Sequence, residues 1–219
     1  YLGKVFSSID HNGRYAFGNQ PSISAWNLAS LAGCLIAFID KDSDKANELA
    51  TEVLDNFSVE TNQRILNLMC QKIGLDVSSK ENQEILRRLL KIMMDNEADY
   101  TITFRSLSKI LENDTQKFLS QFKQKVEINI WIQDWQNAIQ QENKEKSLLK
   151  KELEAVNPVF IPRNHLIQKA IDASYEGNYD LMKEMIKVSK TPFDGELENS
   201  VYAEAPSKDQ RVTQTFCGT

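Results

Sequence analysis

Along most of this chain apolar residues recur at spacings of three and four, the period of a helix packed on one side. The first such stretch is different. From Ile23 to Ile39 the apolar positions (Ile23, Ala25, Trp26, Leu28, Ala29, Leu31, Leu35, Ile36, Phe38) run almost all round. A helix without a polar face belongs in the middle of a core. Pro21 precedes it, and Asn19 or Ser22 is placed to cap it. Asp42 or Ser43 opens a second helix carrying Ala46, Leu49, Ala50, Val53, Leu54 and Phe57. A third runs through Ile65, Leu66, Met69 and Ile73, with Gly74 as its stop.

Ser78 and Glu81 have the spacing of a capping box ahead of Ile85, Leu86, Leu89, Leu90 and Met93. A shorter helix carries Phe104, Leu107, Ile110 and Leu111, and Asp114 is placed to cap Phe118 to Phe122. The longest helix is predicted over Ile128 to Glu154, with Trp131, Trp135 and Ile139 on its apolar half. Core packing is the plain reading of those tryptophans. Pro158 and Pro162 then break the pattern, and two short amphipathic helices follow, Leu166 to Ala173 and Tyr179 to Val188. From Lys190 onward the periodicity ends. No stretch alternates long enough for a sheet, so the fold class is all-α with an extended C-terminal tail. The divisions predicted are a loop over 1–21, a helical domain over 22–189 and a tail over 190–219.

Composition changes this picture little. Eight glycines and five prolines in 219 residues leave long helices as the default. A net charge of -5, with lysines interleaved among acids, argues against a nucleic-acid partner. The apolar run Ala25 to Ile39 falls short of the eighteen or so residues that span a bilayer, so no membrane partner is expected. Three cysteines without a CxxC pair fit a reducing compartment. A start at Tyr1, with no methionine, predicts a piece of something longer.

Few constellations look chemical. Asp40 to Asp44, "DKDSD", has the opening of a calcium loop, but Lys45 and Thr51 stand where the loop needs glycine and a bidentate glutamate. Acids at a helix start explain the same residues. Two histidines, His11 and His165, build no zinc site with cysteines at 34, 70 and 217. Cys217, third from the end, reads either as an exposed thiol open to redox chemistry or as a small packed hydrophobe.

Four blocks, in order, resemble the selenoprotein O family, the YdiU-type protein adenylyltransferases. They are "DHNGRYAFGNQPSISAWNL" (10–28), "ADYTITFRSL" (98–107), "NPVFIPRNHLIQKAI" (157–171) and the ending "TFCGT". The resemblance implies a protein-kinase-like fold that transfers AMP from ATP to Ser, Thr or Tyr hydroxyls of proteins, with magnesium or manganese. It also implies that the catalytic and metal-binding residues lie upstream of the Gly-Arg-Tyr block. No GxGxxG or Walker spacing and no Asp-Tyr-Gly or Asp-Phe-Gly motif occurs here. The expectation is therefore the helical C-terminal lobe, inactive alone, with no catalytic residue, metal ligand or cofactor of its own. Its partners would be the N-terminal catalytic half of the same protein and protein substrates.

On the same resemblance, residues 1–21 hold the counterpart of an activation segment, and the apolar helix after them is the buried organiser of the lobe. Asp10, Arg14, Asn19 and Gln20 are the candidates for contacts near the active site or a protein substrate. Capping and loop hydrogen bonding is their plainer role. Cys217 matches the family's selenocysteine position and is the redox candidate. Some members are thought to close a disulfide from this tail to a cysteine before the Asp-His block. Here Phe6, Ser7 and Ser8 occupy that neighbourhood. The expected location is the bacterial cytoplasm, or the mitochondrion if the source is eukaryotic. The competing function is a non-enzymatic interaction module, using the Trp131/Trp135 face or the terminal helical pair.

Overall fold

The computed structural model describes residues 2–215, and among these it contains α-helices, short 3-10 turns and no strand. The helices are α1 (Gln20–Ile39), α2 (Ser43–Gln71), α3 (Lys80–Asn96), α4 (Tyr100–Ile110), α5 (Gln116–Ser120), α6 (Lys125–Gln141), α7 (Lys146–Val156), α8 (Asn164–Tyr175) and α9 (Asp180–Ser189). The all-α expectation holds. The chain divides into two compact units, residues 1–68 with 214–219 and residues 69–213, so the boundary falls inside α2.

Several boundaries differ from the sequence reading. No glycine or proline interrupts residues 43–71, and the two helices expected there are the single α2. Its first turn is held by Asp42, whose Oδ1 accepts from the backbone N–H of Asp44 (3.0 Å) and Lys45 (3.3 Å). Within Asp40 to Asp44, Asp42 is the residue that caps the helix. The cap of α3 is Ser79 rather than Ser78: its Oγ accepts from the Asn82 N–H at 3.2 Å and donates to Glu81 at 2.9 Å. Thr115, one residue past Asp114, is the residue before α5.

The expected long helix over 128–154 is two helices. Asn143 turns left-handed at φ 53° after α6. Asparagine tolerates that conformation well. The reversal lets Leu149 and Leu153 of α7 become fully buried. A continuous charged helix would have left them in water.

The second unit has a dense core. Trp131 and Trp135 stack at 5.8 Å with planes 10° apart, and Phe118 extends the stack at 5.9 Å. Each indole N–H meets a backbone carbonyl at 2.8 Å, Trp131 that of Ile85 and Trp135 that of Ile73. A second cluster joins α8 and α9 through Phe160, Leu166, Ala170, Met185 and Val188.

Two buried ion pairs fix the remaining segments. Arg163 grips Asp99 at 2.6 and 3.0 Å. Arg105 meets Glu198 at 2.8 Å and also donates to the carbonyls of Glu154 and Asn157. The segment expected to be an irregular tail is thus anchored on α4 through the turn Gly195–Asn199.

The first unit reverses an expectation. Along α1 only Ile23 is buried, while Trp26 is 55% exposed and Phe38 85% exposed. The all-round apolar helix is not in the middle of a core among the described residues. Together with the turn before it, Phe17–Ile39 spans 23 residues, long and apolar enough by length and composition to cross a bilayer. The shorter run counted from Ala25 missed this because the helix starts earlier. A core helix of a soluble protein passes the same test.

Candidate functional site

The loop from Asp10 to Gln20 is built largely from its own polar groups. Asp10 turns its carboxylate back on the chain, with Oδ1 accepting from the Arg14 N–H and Oδ2 from the Tyr15 N–H, each at 2.8 Å. Gly13 makes this turn possible at φ +65°, a conformation glycine adopts without penalty. The Asn19 amide donates to the Gly13 carbonyl at 2.8 Å, so it closes the loop and does not cap α1. Gln20 reaches back to the Tyr15 carbonyl at 2.6 Å. Pro21 lies within the first turn of α1, where no N–H is needed.

Gly18 sits where the backbone passes close to residue 2: a Cβ there would lie 2.9 Å from that of Leu2. Its N–H donates to the Leu2 carbonyl at 2.7 Å, and the Phe17 N–H to that of Lys4 at 2.9 Å. Residues 2–4 are therefore strapped along the turn Phe17–Asn19 that leads into α1.

Of the four candidates, Asp10, Asn19 and Gln20 thus have partners within the loop. Arg14 is different. Its guanidinium lies over the Trp26 ring, 4.2 Å from the centroid, and 5.8 Å from that of Tyr15. Trp26 is the residue the sequence reading missed here, having been assigned to the core. The signal was present, because an arginine twelve positions before a tryptophan can fold back over it when the intervening loop reverses.

The far end of the chain meets the same unit. The Ser8 N–H donates to the Thr215 carbonyl at 2.7 Å, and the Thr215 N–H donates to Ser8 Oγ at 3.0 Å. Thr215 Oγ1 also donates to the Phe6 carbonyl. The tail therefore docks on Phe6 and Ser8, the neighbourhood where the resemblance places a partner cysteine in some members. Cys217 itself lies outside the described residues. Cys34 on α1 is an exposed free thiol and Cys70 a buried one, whose titration burial pushes up.

Among the described residues, no group of three or more His, Cys, Asp or Glu side chains is arranged to hold a metal ion. The buried ion pairs lie elsewhere. Burial is the largest influence on Asp99 and opposes its charge. Arg163 and the Ile102 N–H together outweigh it, so the carboxyl titrates below its usual range. Glu198 follows the same logic with Arg105 and Lys109. His165 is pushed down by burial and by the nearby charges of Lys169 and Arg163. The Asp99–Arg163 and Glu198–Arg105 pairs fasten the fold.

Comparison with known proteins is specific. The family model "Protein adenylyltransferase SelO" matches residues 4–190, and the chain belongs to that family. It is 40% identical over 216 residues to "Protein nucleotidyltransferase YdiU" of Maridesulfovibrio salexigens, covering 98% of this chain and 44% of that protein. The protein of the same name from Agrobacterium fabrum is 38% identical over 217 residues, 99% of this chain and 45% of its own length. That from Bacillus mycoides is 36% identical over 219 residues, 99% and 44%. The chain spans less than half the length of these curated relatives.

Proposed function

We propose that this chain is the helical C-terminal part of a protein adenylyltransferase with a protein-kinase-like fold, whose nucleotide and metal chemistry is carried by the rest of a longer polypeptide. In that reaction a Ser, Thr or Tyr oxygen of a protein attacks the α-phosphorus of ATP. A phosphodiester to AMP forms, the bond to the β-phosphate oxygen breaks, pyrophosphate leaves, and the hydroxyl proton passes to a base. The observation that carries this reading is the family match across residues 4–190 in a chain covering only 44–45% of the relatives.

ATP and Mg or Mn belong to the whole protein. The described residues of this chain provide no metal cluster, and no step is assigned to a metal or nucleotide bound here. What this chain contributes is a scaffold and a loop. Asp10, Asn19 and Gln20 hold the activation-segment counterpart in one conformation through the hydrogen bonds given above, which limits the ordering needed when substrate arrives. Cys217, beyond the described residues, is the thiol for exchange with another molecule, in a cytoplasmic setting.

The test is transfer of α-labelled AMP to protein, measured for the longer polypeptide and for these 219 residues with Mg or Mn. Transfer by the longer polypeptide alone is expected. No transfer by it ends the adenylyltransferase reading, and transfer by the short chain ends the placement of the chemistry upstream.

The interaction-module reading keeps one specific support. Trp131 and Trp135 are fully buried and offer no surface. The α8–α9 pair does, through an apolar groove of about 650 Å³ walled by Ile167, Ile171, Tyr175, Met182 and Ile186.

A further inference from the structure

Arg14 stands on a surface that offers it no counter-charge. Among the described residues its guanidinium has no carboxylate partner and makes no hydrogen bond; Trp26 and Tyr15 are its neighbours. The nearest acid in sequence, Asp10, already accepts two backbone N–H groups. From residue 15 to residue 39 the chain contains no charged residue. Over the same stretch Trp26, Leu31, Leu35 and Phe38 are all exposed. Soluble proteins rarely leave a continuous apolar surface of that kind open to water.

Covering that surface would trap Arg14 with it. A buried guanidinium without an anion is among the costliest groups a fold can hold. Whatever lies on α1 must therefore bring an oxyanion to Arg14, and the planar fork of arginine suits a carboxylate. We infer that in the longer polypeptide the portion outside these residues covers α1 and places an Asp or Glu carboxylate on Arg14. The inference rests on the reading that this chain is part of a longer transferase, and it names the contact that joins the parts.

The length of chain in question supports this occupant, because the relatives are more than twice as long as the segment matched here. A protein substrate would leave the helix bare between turnovers, and twenty residues of helix span about 30 Å. Lipid fits less well. The Asn27 amide makes no hydrogen bond among the described residues, and hydrocarbon cannot supply one, whereas a protein surface can.

Cys34, exposed on α1, reports on cover directly. Maleimide labelling of Cys34, read site by site by mass spectrometry, should be fast in the 219-residue chain and at least about 100-fold slower in the longer polypeptide. Arg14→Glu should restore most of the labelling, Arg14→Lys should keep protection to within about tenfold, and Lys183→Glu on α9 should change nothing. Because Arg14→Glu could unfold the protein, the second arm uses Arg14→Lys. Carbodiimide coupling of the introduced amine should join it to an acidic residue outside the present 219.

Equal labelling in both proteins, or protection indifferent to Arg14→Glu, overturns the inference. So does coupling to an acid within this chain, no coupling, or protection that only anionic phospholipid vesicles provide. AMP transfer measured in parallel separates the two readings. Transfer with Cys34 open sinks this contact alone, and Cys34 protection without transfer sinks the activity alone.

Discussion

Trp135 and Trp26 are the same residue with opposite fates. Trp135 is fully buried, stacked on Trp131 and bonded through its indole N–H to the Ile73 carbonyl. Trp26 is 55% exposed and serves as a platform for Arg14. The unit of residues 69–213 meets its own needs: its apolar stripes face one another and its buried charges are paired. The unit of residues 1–68 with 214–219 is hydrogen-bonded within its loop, and its helix α1 is exposed along most of its length. A helix apolar all round needs cover on every side, and local sequence cannot say which part of a protein provides it.

The comparison breaks most sharply at the largest side chain. Trp135→Ala should cost about 3–5 kcal/mol in urea unfolding, since it opens a large void and orphans a carbonyl. A cost below about 1 kcal/mol would mean that the stack is not the core of its unit. Next comes Arg163→Met, which strands the Asp99 carboxylate and should cost about 3 kcal/mol. The matched double change with Asp99→Leu should recover much of that, and a strictly additive result would deny the coupling.

Gly74→Ala should cost about 2 kcal/mol, because φ is +72° and the new Cβ would fall 2.6 Å from Leu149 Cδ1. Equal stability of the two proteins would show that α7 can shift aside.

Acid should act on the same unit in two stages. His165 has a lowered folded pKa, so below about pH 6.5 the unfolded chain takes up a proton that the folded one resists. Stability declines from there, and His165→Gln should flatten that limb of a stability-against-pH curve. Asp99 and Glu198, also lowered, contribute stability above their unfolded values, near pH 4, and lose it as pH falls through their folded values. A flat curve between pH 7 and pH 3 would contradict both. The smallest effect belongs to Trp26→Ala, under about 1 kcal/mol in the present chain because more than half of the residue is exposed. In the longer polypeptide the same change should approach about 3 kcal/mol, and equal costs in the two would leave α1 without a cover.

How much of this was legible depends on the residues concerned. The stripes of α3, α4, α8 and α9 could be read directly, because each repeats at helical spacing between clear breaks. The run from residue 43 to 71 holds no breaker, yet gaps in its apolar pattern suggested two helices. The break at Asn143 was hidden for the opposite reason, since "ENKEKS" favours helix locally and only the burial of Leu149 and Leu153 requires the turn. In the loop, the residue types of Asp10, Asn19 and Gln20 pointed to hydrogen bonding. Their partners lie four to six positions away, and spacing alone does not assign them.

Sequence by itself settled that this chain is helical and, through its four blocks, which family it belongs to, because periodicity and motif are properties of order along the chain. Tertiary structure alone decided where α6 ends, that Glu198 fastens the tail, that Arg14 rests on Trp26 and that α1 lies open. Those outcomes turn on which distant surfaces meet, and burial depends on what arrives in space rather than on what comes next in the chain.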